Sequence, residues 1–373
     1  MVTWDGGSNR QPFECLSRGL LDRDADVHVL SHEAHRALYE DLGATFHVLP
    51  LGEKEPGSRP SAAAERERVM DLWLSPKVAE AVAECLREAP SDVAIVDASL
   101  LTAFAACEVT ATPYVVVHHS LPGSAWSGPR RDQFAALVEP VNEVRRGLGL
   151  DVASDFGALM SRAAAHIVPT AAELDGPVPW RLPMHYVGPL QPSGDPGAQI
   201  PDLPKRFVLV SFSTTWQRQV EVLQRTIDAL APLDHAVVVT TGPSVDPSEL
   251  VPAGNTVVAA EVPHASVLHR AEVVVTHAGH GTVVSALTAG VPLVCIPMGR
   301  DQHDVTRRVV ALGAGLAVGA DDTASDLLQA VQSVLGERRF ADHAAAVARS
   351  IAAHGGLGAA LSIIDRCAEE RHR

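Results

Sequence analysis

Short apolar, β-branched runs alternate with amphipathic stretches along almost the whole chain. Residues 26–30, 45–49, 92–96, 113–117, 166–168 and 185–188 read as strands in the first half. Residues 207–211, 236–240, 256–260, 272–276, 293–297 and 316–318 repeat the pattern in the second. Between them, apolar positions recur at helical spacing, as at Phe13, Leu16 and Leu20, or Leu74, Val78, Val82 and Leu86. Helices are expected over 13–21, 34–42, 69–89, 100–107, 134–148, 155–164, 221–230, 265–270, 282–289 and 305–312, with a helical tail near 323–335, 337–353 and 357–371. Strand–helix alternation of this kind predicts parallel βαβ sheets. Residues 1–4 read as the end of a strand whose beginning lies upstream, because a strand usually has about five residues.

Residues 191–204 contain Pro192, Gly194, Pro196, Gly197, Pro201 and Pro204 and read as a linker. The expected organisation is one α/β domain over 1–190, a second over 205–355, and a last helix over 356–373 packing back toward the first. Ligands of open parallel sheets bind beyond the carboxyl ends of the strands. In the second half that edge carries Ser213, Thr214, Thr241, Gly242, Val262, His277 to Gly281, Asp301 and Gln302. In the first half it carries Asp5 to Asn9, Asp97, His118 and His119. Two such edges facing each other form a cleft.

The stretch from Glu272 to Thr282, EVVVTHAGHGT, organises the second half. A buried strand ends at His277, a tight turn holds Gly279 and Gly281, and a helix is expected from Thr282, stopped by Gly290 and Pro292. Free backbone N–H groups and the positive end of a helix meet there, which suits an anion, most often phosphate. An ordinary strand-to-helix turn has the same glycines, and helix capping is an alternative use for Thr282 and Asp301.

Composition narrows the function classes. The chain has 373 residues, 46% of them hydrophobic and 20% charged, enough to bury two sizeable cores. A net charge of −15 without Lys/Arg runs argues against nucleic acid. No run of about 18 apolar residues predicts a membrane span, and Trp4 to Gly7 interrupt any secretory signal. A cytoplasmic protein, monomer or homodimer, is expected. Cys15, Cys85, Cys107, Cys295 and Cys367 are scattered, so they read as reduced core filler with no metal site.

His277-Ala-Gly-His-Gly-Thr282, Gly290-Val-Pro292, Pro297 and Asp301-Gln302 together resemble the donor motif of the GT-B glycosyltransferases, specifically the bacterial family-1 enzymes of natural-product (antibiotic, macrolide-type) biosynthesis. The likeness spans essentially the whole chain, weakly in the first domain and strongly over about 207–318. It implies an α/β GT-B fold, two doubly wound Rossmann-like domains facing across a cleft, the first for acceptor and the second for donor. It implies an inverting, metal-independent transfer from a UDP- or TDP-sugar, a co-substrate rather than a cofactor, to a small hydrophobic acceptor. No Asp-x-Asp motif suggests a metal-held diphosphate, and metal ligands are expected to be none. His277, Gly279, His280, Gly281 and Thr282 would hold the diphosphate, with Ser213, Thr214, Thr241 and Gly242 closing the pocket. Val262 would hold the base through its backbone, although Glu261 stands where many relatives stack a tryptophan. Asp301 and Gln302 would bind sugar hydroxyls. Asp5, Asn9 and Trp126 would meet the acceptor, Trp126 by stacking on a ring.

The catalytic base departs from that family. Relatives place a histidine in the first loop, in a G-H-x-x-P-like pattern; here the loop reads Gly7-Ser8-Asn9-Arg10-Gln11-Pro12. Asn9 takes no proton at neutral pH, so Asp97 keeps the family's aspartate role with no histidine beside it. Three readings stay open: another base, with His118 and His119 favoured because imidazole titrates near neutral pH; an acceptor needing little help, which Asn9 orients; or loss of catalysis. A catalytically silent helper protein and a nucleotide-sugar epimerase of GT-B form are the alternatives.

Overall fold

The computed structural model describes residues 1–7, 9–50, 58–127, 130–191 and 203–370. Ser8, most of the expected linker 191–204 and the end of the expected last helix 356–373 lie outside them.

The first domain contains strands β1 (His28–Ser31), β2 (Thr45–Val48), β3 (Ala94–Asp97), β4 (Tyr114–Val117), β5 (Ala165–Val168) and β6 (Met184–Tyr186). β1 pairs with β2, and β3 to β6 pair in chain order, all parallel. Val2 joins the two groups, bridging Leu30 on one side and Val96 on the other. The stub at 1–4 is therefore the sheet's central position, and the strand order reverses between it and β3.

The second domain contains β7 (Phe207–Ser211), β8 (Val237–Thr240), β9 (Thr256–Ala259), β10 (Ala271–Thr276), β11 (Leu293–Cys295) and β12 (Gly315–Ala317). Their order is β12-β11-β10-β7-β8-β9, all parallel, with the reversal between β7 and β10. Both domains are thus doubly wound, and each has a topological switch point where a ligand crevice forms.

Helices cover both faces, so the central strands are continuously apolar rather than alternating. Alternate residues still choose opposite layers. Leu209, Val238, Val274 and Leu293 pack with the helix His280–Thr288 and the helix Arg338–Ala352. Val208, Val210, Val239 and Val275 pack with the helices Val220–Leu230 and Ala324–Gly336.

Several boundaries differ from the expectation. The helix expected over 69–89 is two, Ala62–Leu74 and Pro76–Glu88. Pro76 has no N–H for the first helix and holds Ser75 extended (φ −63°, ψ 121°). After β4, where no helix is expected before residue 134, helical turns stand at Pro122–Ser127 and Arg131–Ala135. The helix after β10 begins at His280, one half-turn before Thr282.

The last helix, Gly356–Glu370, belongs in packing to the first domain. Ala360, Leu361, Ile363, Ile364 and Cys367 bury against Phe13, Leu16, Ile95, Val115 and Val117. Gly19 permits the approach: a Cβ there would stand 3.0 Å from Leu357 and Leu361 methyls. Read through its break, Arg338–Glu369 is long and apolar enough to cross a membrane (mean hydropathy 1.3). The break at 353–355 divides it into two helices of 15 residues each, and each apolar face is buried in a different domain. Leu361→Ala removes a side chain that is 3% exposed. It should cost about 2–4 kcal/mol, read as a lower urea midpoint for the first domain.

Candidate functional site

The two switch points face each other. A Cβ on Gly7, in the loop after the Val2 segment, would lie 3.0 Å from Thr214 Oγ1 in the loop after β7. His118, His119, Gln11 and Pro12 line one wall of a narrow pocket whose other wall is His280, Gly281 and Val284.

On the second-domain side, β10 ends at Thr276 and the helix starts at His280 after a three-residue turn. Ala278 has φ +65°, a left-handed conformation uncommon for a residue with a Cβ. Its N–H donates to Thr276 Oγ1 (3.3 Å), and the same hydroxyl lies 3.4 Å from His277 Nδ1. The hydroxyl oxygen has a second lone pair, so this contact is compatible with the ring proton on either nitrogen. Burial holds His277 down at about 4, so it is neutral at pH 7 and one ring nitrogen is a donor. Gly279 is required beneath it, since a Cβ would stand 2.6 Å from Nε2. Val283 makes the first helical bond, to Gly279 O. The N–H groups of His280, Gly281 and Thr282 precede that ladder and stay available. His280 is 8% exposed, burial holds it at about 4, and its Nε2 has no partner among the described residues.

On the first-domain side, Asp97 is fully buried at the end of β3. Oδ1 accepts from Ser99 N–H (2.9 Å), Ser99 Oγ–H and Trp4 Nε1–H (3.3 Å). Oδ2 accepts from Asn9 Nδ2 (3.3 Å) and stands 3.1 Å from His119 Nδ1. Burial alone would push the carboxyl up; the His119 charge and the hydrogen bonds from His119 and Ser99 outweigh it and hold Asp97 below its ordinary value. Burial likewise opposes charge on His119, but the Asp97 charge and hydrogen bond outweigh it and raise His119 above its ordinary value. The imidazole keeps 25% of its side chain exposed.

Residues 224–358 match the erythromycin biosynthesis protein CIII-like C-terminal domain family. Over 98% of its length the chain superposes on a crystal structure titled CalG4, the calicheamicin glycosyltransferase, with TM-score 0.80, 21% identity and 96% of that chain covered.

The chain has the GT-B fold.

Another GT-B structure, titled glycosyltransferase VinC in complex with DTDP, superposes with TM-score 0.75 at 20% identity over 99% of both chains. By sequence, 4'-demethylrebeccamycin synthase of Lentzea aerocolonigenes is 34% identical over 48% of this chain and 43% of its own length. A Bacillus subtilis protein named as an uncharacterized UDP-glucosyltransferase, YojK, is 27% identical over 69% of this chain and 64% of its own. The chain thus spans less than two-thirds of the length of these curated relatives.

Within this GT-B frame the expected site residues separate. His119 and Asp97, both expected at this sheet edge, form a pair. Registered partners of parallel strands share a face, and Asp97 is opposite Val117, so residue 119, two further on, shares it too. His118 points the other way. Its Nε2 lies 3.1 Å from His166 Nδ1, whose Nε2 lies 3.0 Å from Met160 O, and its ring packs on Trp126. Burial and His166 hold His118 well below its ordinary value; it is a packed neutral ring, not a base candidate. Asn9 is 1% exposed. It accepts from Gly6 N–H (3.0 Å) and donates to Trp4 O (3.0 Å) and Asp97, which leaves no amide proton to orient an acceptor.

Trp126 is 3% exposed among His118, Phe156 and Trp180, so it does not offer an open ring. Asp5 N–H donates to His32 Nδ1 (3.0 Å), and its carboxylate, 37% exposed, lies 3.9 Å from His35 Nε2. Gln302 is also used internally. Oε1 accepts from Met298 and Gly299 N–H, and Nε2 donates to Gln217. Asp301 makes no side-chain cap bond and adds negative charge near both His119 and His280. Ser213 Oγ accepts from Gln217, while Thr214 is exposed on the cleft side. Thr241 is buried, with Gly242 (φ +68°) packed 3.2 Å from Ser213 O as measured from a built Cβ. Val262 is buried and Glu261 exposed.

Trp4, Ser99, Thr276 and Arg300 were not singled out from the sequence. Arg300 Nη1 donates to Thr215 Oγ1 (3.0 Å), and Nη2 lies 3.8 Å from Glu65 of the first domain. Only Thr276 carried a local signal, a hydroxyl directly before His277. His277→Ala should weaken TDP or UDP binding by about 10- to 150-fold, the worth of a hydrogen bond to a charged group. Gly279→Ala should do the same by displacing the ring, both read by isothermal titration calorimetry.

Proposed function

We propose that this protein is an inverting glycosyltransferase that moves a sugar from a nucleoside-diphosphate sugar to a small natural-product acceptor, with His119 as the base. The observation that carries the reading is the His119–Asp97 pair placed across the cleft from the His277–Thr282 turn. Asp97 accepts from Nδ1–H and so fixes the tautomer, leaving Nε2 with its lone pair to take the acceptor proton. The acceptor oxygen then attacks the anomeric carbon from the side opposite the diphosphate. The C–O bond to the diphosphate breaks through an oxocarbenium-like transition state, as in other glycosyl transfer, which inverts that centre.

Charge develops on the departing diphosphate. The His277 ring N–H, the amides of positions 280–282 and the Thr282 hydroxyl supply donors for it at a helix start. Arg300, at the cleft mouth, supplies the nearby positive charge. These groups do the work that a divalent cation does in metal-dependent transferases, so we assign the transfer as metal-independent. The base would lie by the Val262 backbone and the sugar by Asp301. A structure titled VinC in complex with DTDP supports a thymidine nucleotide as the first donor to try.

The test is product analysis by mass spectrometry with panels of TDP- and UDP-sugars and polyketide or aromatic acceptors. Transfer supports the assignment. Donor altered without acceptor would mark an epimerase, and donor bound without turnover a helper protein. For the active pair, kcat/KM should fall as pH drops, with a midpoint above the ordinary imidazole value of about 6.5, because Asp97 raises His119. His119→Ala should lower kcat by about 10²–10⁴-fold and abolish that limb. Asp97→Asn should move the midpoint down. A pH profile unchanged in both variants would remove His119 as base.

A further inference from the structure

A cluster of metal-binding side chains lies at the outer edge of the first domain. His28 begins β1, His47 is on β2, and Cys85 is on the helix Pro76–Glu88. One ligand atom from each lies within 4.8 Å of the others. His28 Nδ1 and His47 Nε2 are 2.9 Å apart, and the two rings stack 5.1 Å apart at 17°. Cys85 is 7% exposed and free.

We propose that His28, His47 and Cys85 form a binding site for Zn2+ that clamps β1, β2 and that helix together. Three features support it. First, the donor set is right: two imidazoles and a thiolate suit a borderline-soft ion, with water as the fourth ligand. Second, the spacing needs little change. Zn–N of about 2.0–2.1 Å and Zn–S of about 2.3 Å put tetrahedral ligands roughly 3.3–3.7 Å apart. The nitrogens would open by a few tenths of an ångström and the sulfur would close in by up to about one.

Third, the ring orientation is supported from behind. Asp26 Oδ2 lies 3.5 Å from His28 Nε2. That carboxylate favours the proton on Nε2 and leaves Nδ1 bare toward the cluster, the carboxylate–histidine–metal arrangement. His47 Nε2–H then fills the gap, donating to His28 Nδ1. On binding, His47 shifts its proton to Nδ1 and Cys85 loses its thiol proton, so one proton leaves per ion. Burial and His28 keep His47 neutral, and burial keeps the Cys85 thiol protonated until the ion arrives.

The site is remote from the cleft. Asp26 and His28 stand at the amino end of β1, whereas the cleft uses carboxyl ends. Asp22, Asp24 and Asp26, an Asp-x-Asp run the sequence does contain, are there too and not by the diphosphate turn. Residues 28, 47 and 85 are far apart in the chain and meet only through the fold, so no sequence spacing marks them.

The experiment is a Co2+ titration of the full chain after chelator treatment, with any affinity tag removed. One equivalent should give a thiolate-to-cobalt band in the near ultraviolet and tetrahedral bands in the visible, both displaced by Zn2+. Zn2+ should raise Tm. Cys85→Ser should lose the charge-transfer band, and His47→Gln should weaken binding at least tenfold, with circular dichroism checking the fold. If Cys85→Ser does not fold, His47→Gln decides. No band at one equivalent, a band that survives Cys85→Ser, or unchanged affinity in His47→Gln overturns the site.

Discussion

One buried charge organises the first domain. The Asp97 carboxylate has no exposed surface, and an unpaired charge there would cost several kcal/mol after relaxation. It persists because donors converge on it from three places: Trp4 and Asn9 from the end of the central stub and the loop after it, Ser99 from the turn after β3, and His119 from just past the end of β4. Those segments are otherwise loops, free to differ in conformation. The carboxylate ties them at the switch point and sets the direction in which the His119 lone pair faces. Sheet topology creates the crevice; this charge fixes its chemistry.

The opposite wall works by the complementary arrangement. It offers donors without carrying much formal charge, since His277 and His280 are neutral and the other donors are mostly amides. A chain of net charge −15 would repel a diphosphate at long range. At physiological salt, however, the Debye length is about 8 Å. Surface carboxylates beyond that distance contribute little, while an N–H at hydrogen-bond distance is barely screened. Neutral donors also limit the desolvation cost of the empty crevice, because buried amides and imidazoles cost less to dehydrate than buried ammonium groups. The strained Ala278 is part of the same construction, held by a Thr276 hydroxyl that also contacts the His277 ring.

Much of this was legible in the sequence, and the reasons for the rest are physical. The strands were readable because buried parallel strands are continuous Val, Ile and Leu runs, and the turn at His277 because glycines mark close backbone approach. The roles of Trp126 and Gln302 were not. Ring stacking and amide hydrogen bonding serve a ligand or the protein equally well, and only three-dimensional surroundings distinguish the two. Here Trp126 has three protein rings around it and the Gln302 oxygen has two backbone amides. The choice between His118 and His119 turned on strand register. Once Asp97 is opposite Val117, the period of two sends one histidine to the carboxylate and the other into an aromatic core.

That register also explains how Asn9 can stand where the related enzymes have their base. Neighbouring parallel strands lie only about 4.8 Å apart, so residues just past the ends of adjacent strands reach the same point. The stub, β3 and β4 are consecutive in the sheet, and Asp97 at the middle position can meet a histidine from either side. With His119 arriving from β4, a second imidazole at position 9 would compete for the same carboxylate oxygen. An amide there instead donates to Oδ2 and accepts from Gly6, filling the volume without bringing a second titrating group. The histidine that pairs with Asp97 is thus specified by the edge of the sheet rather than by any one loop, and a pattern confined to the first loop is bound to miss it.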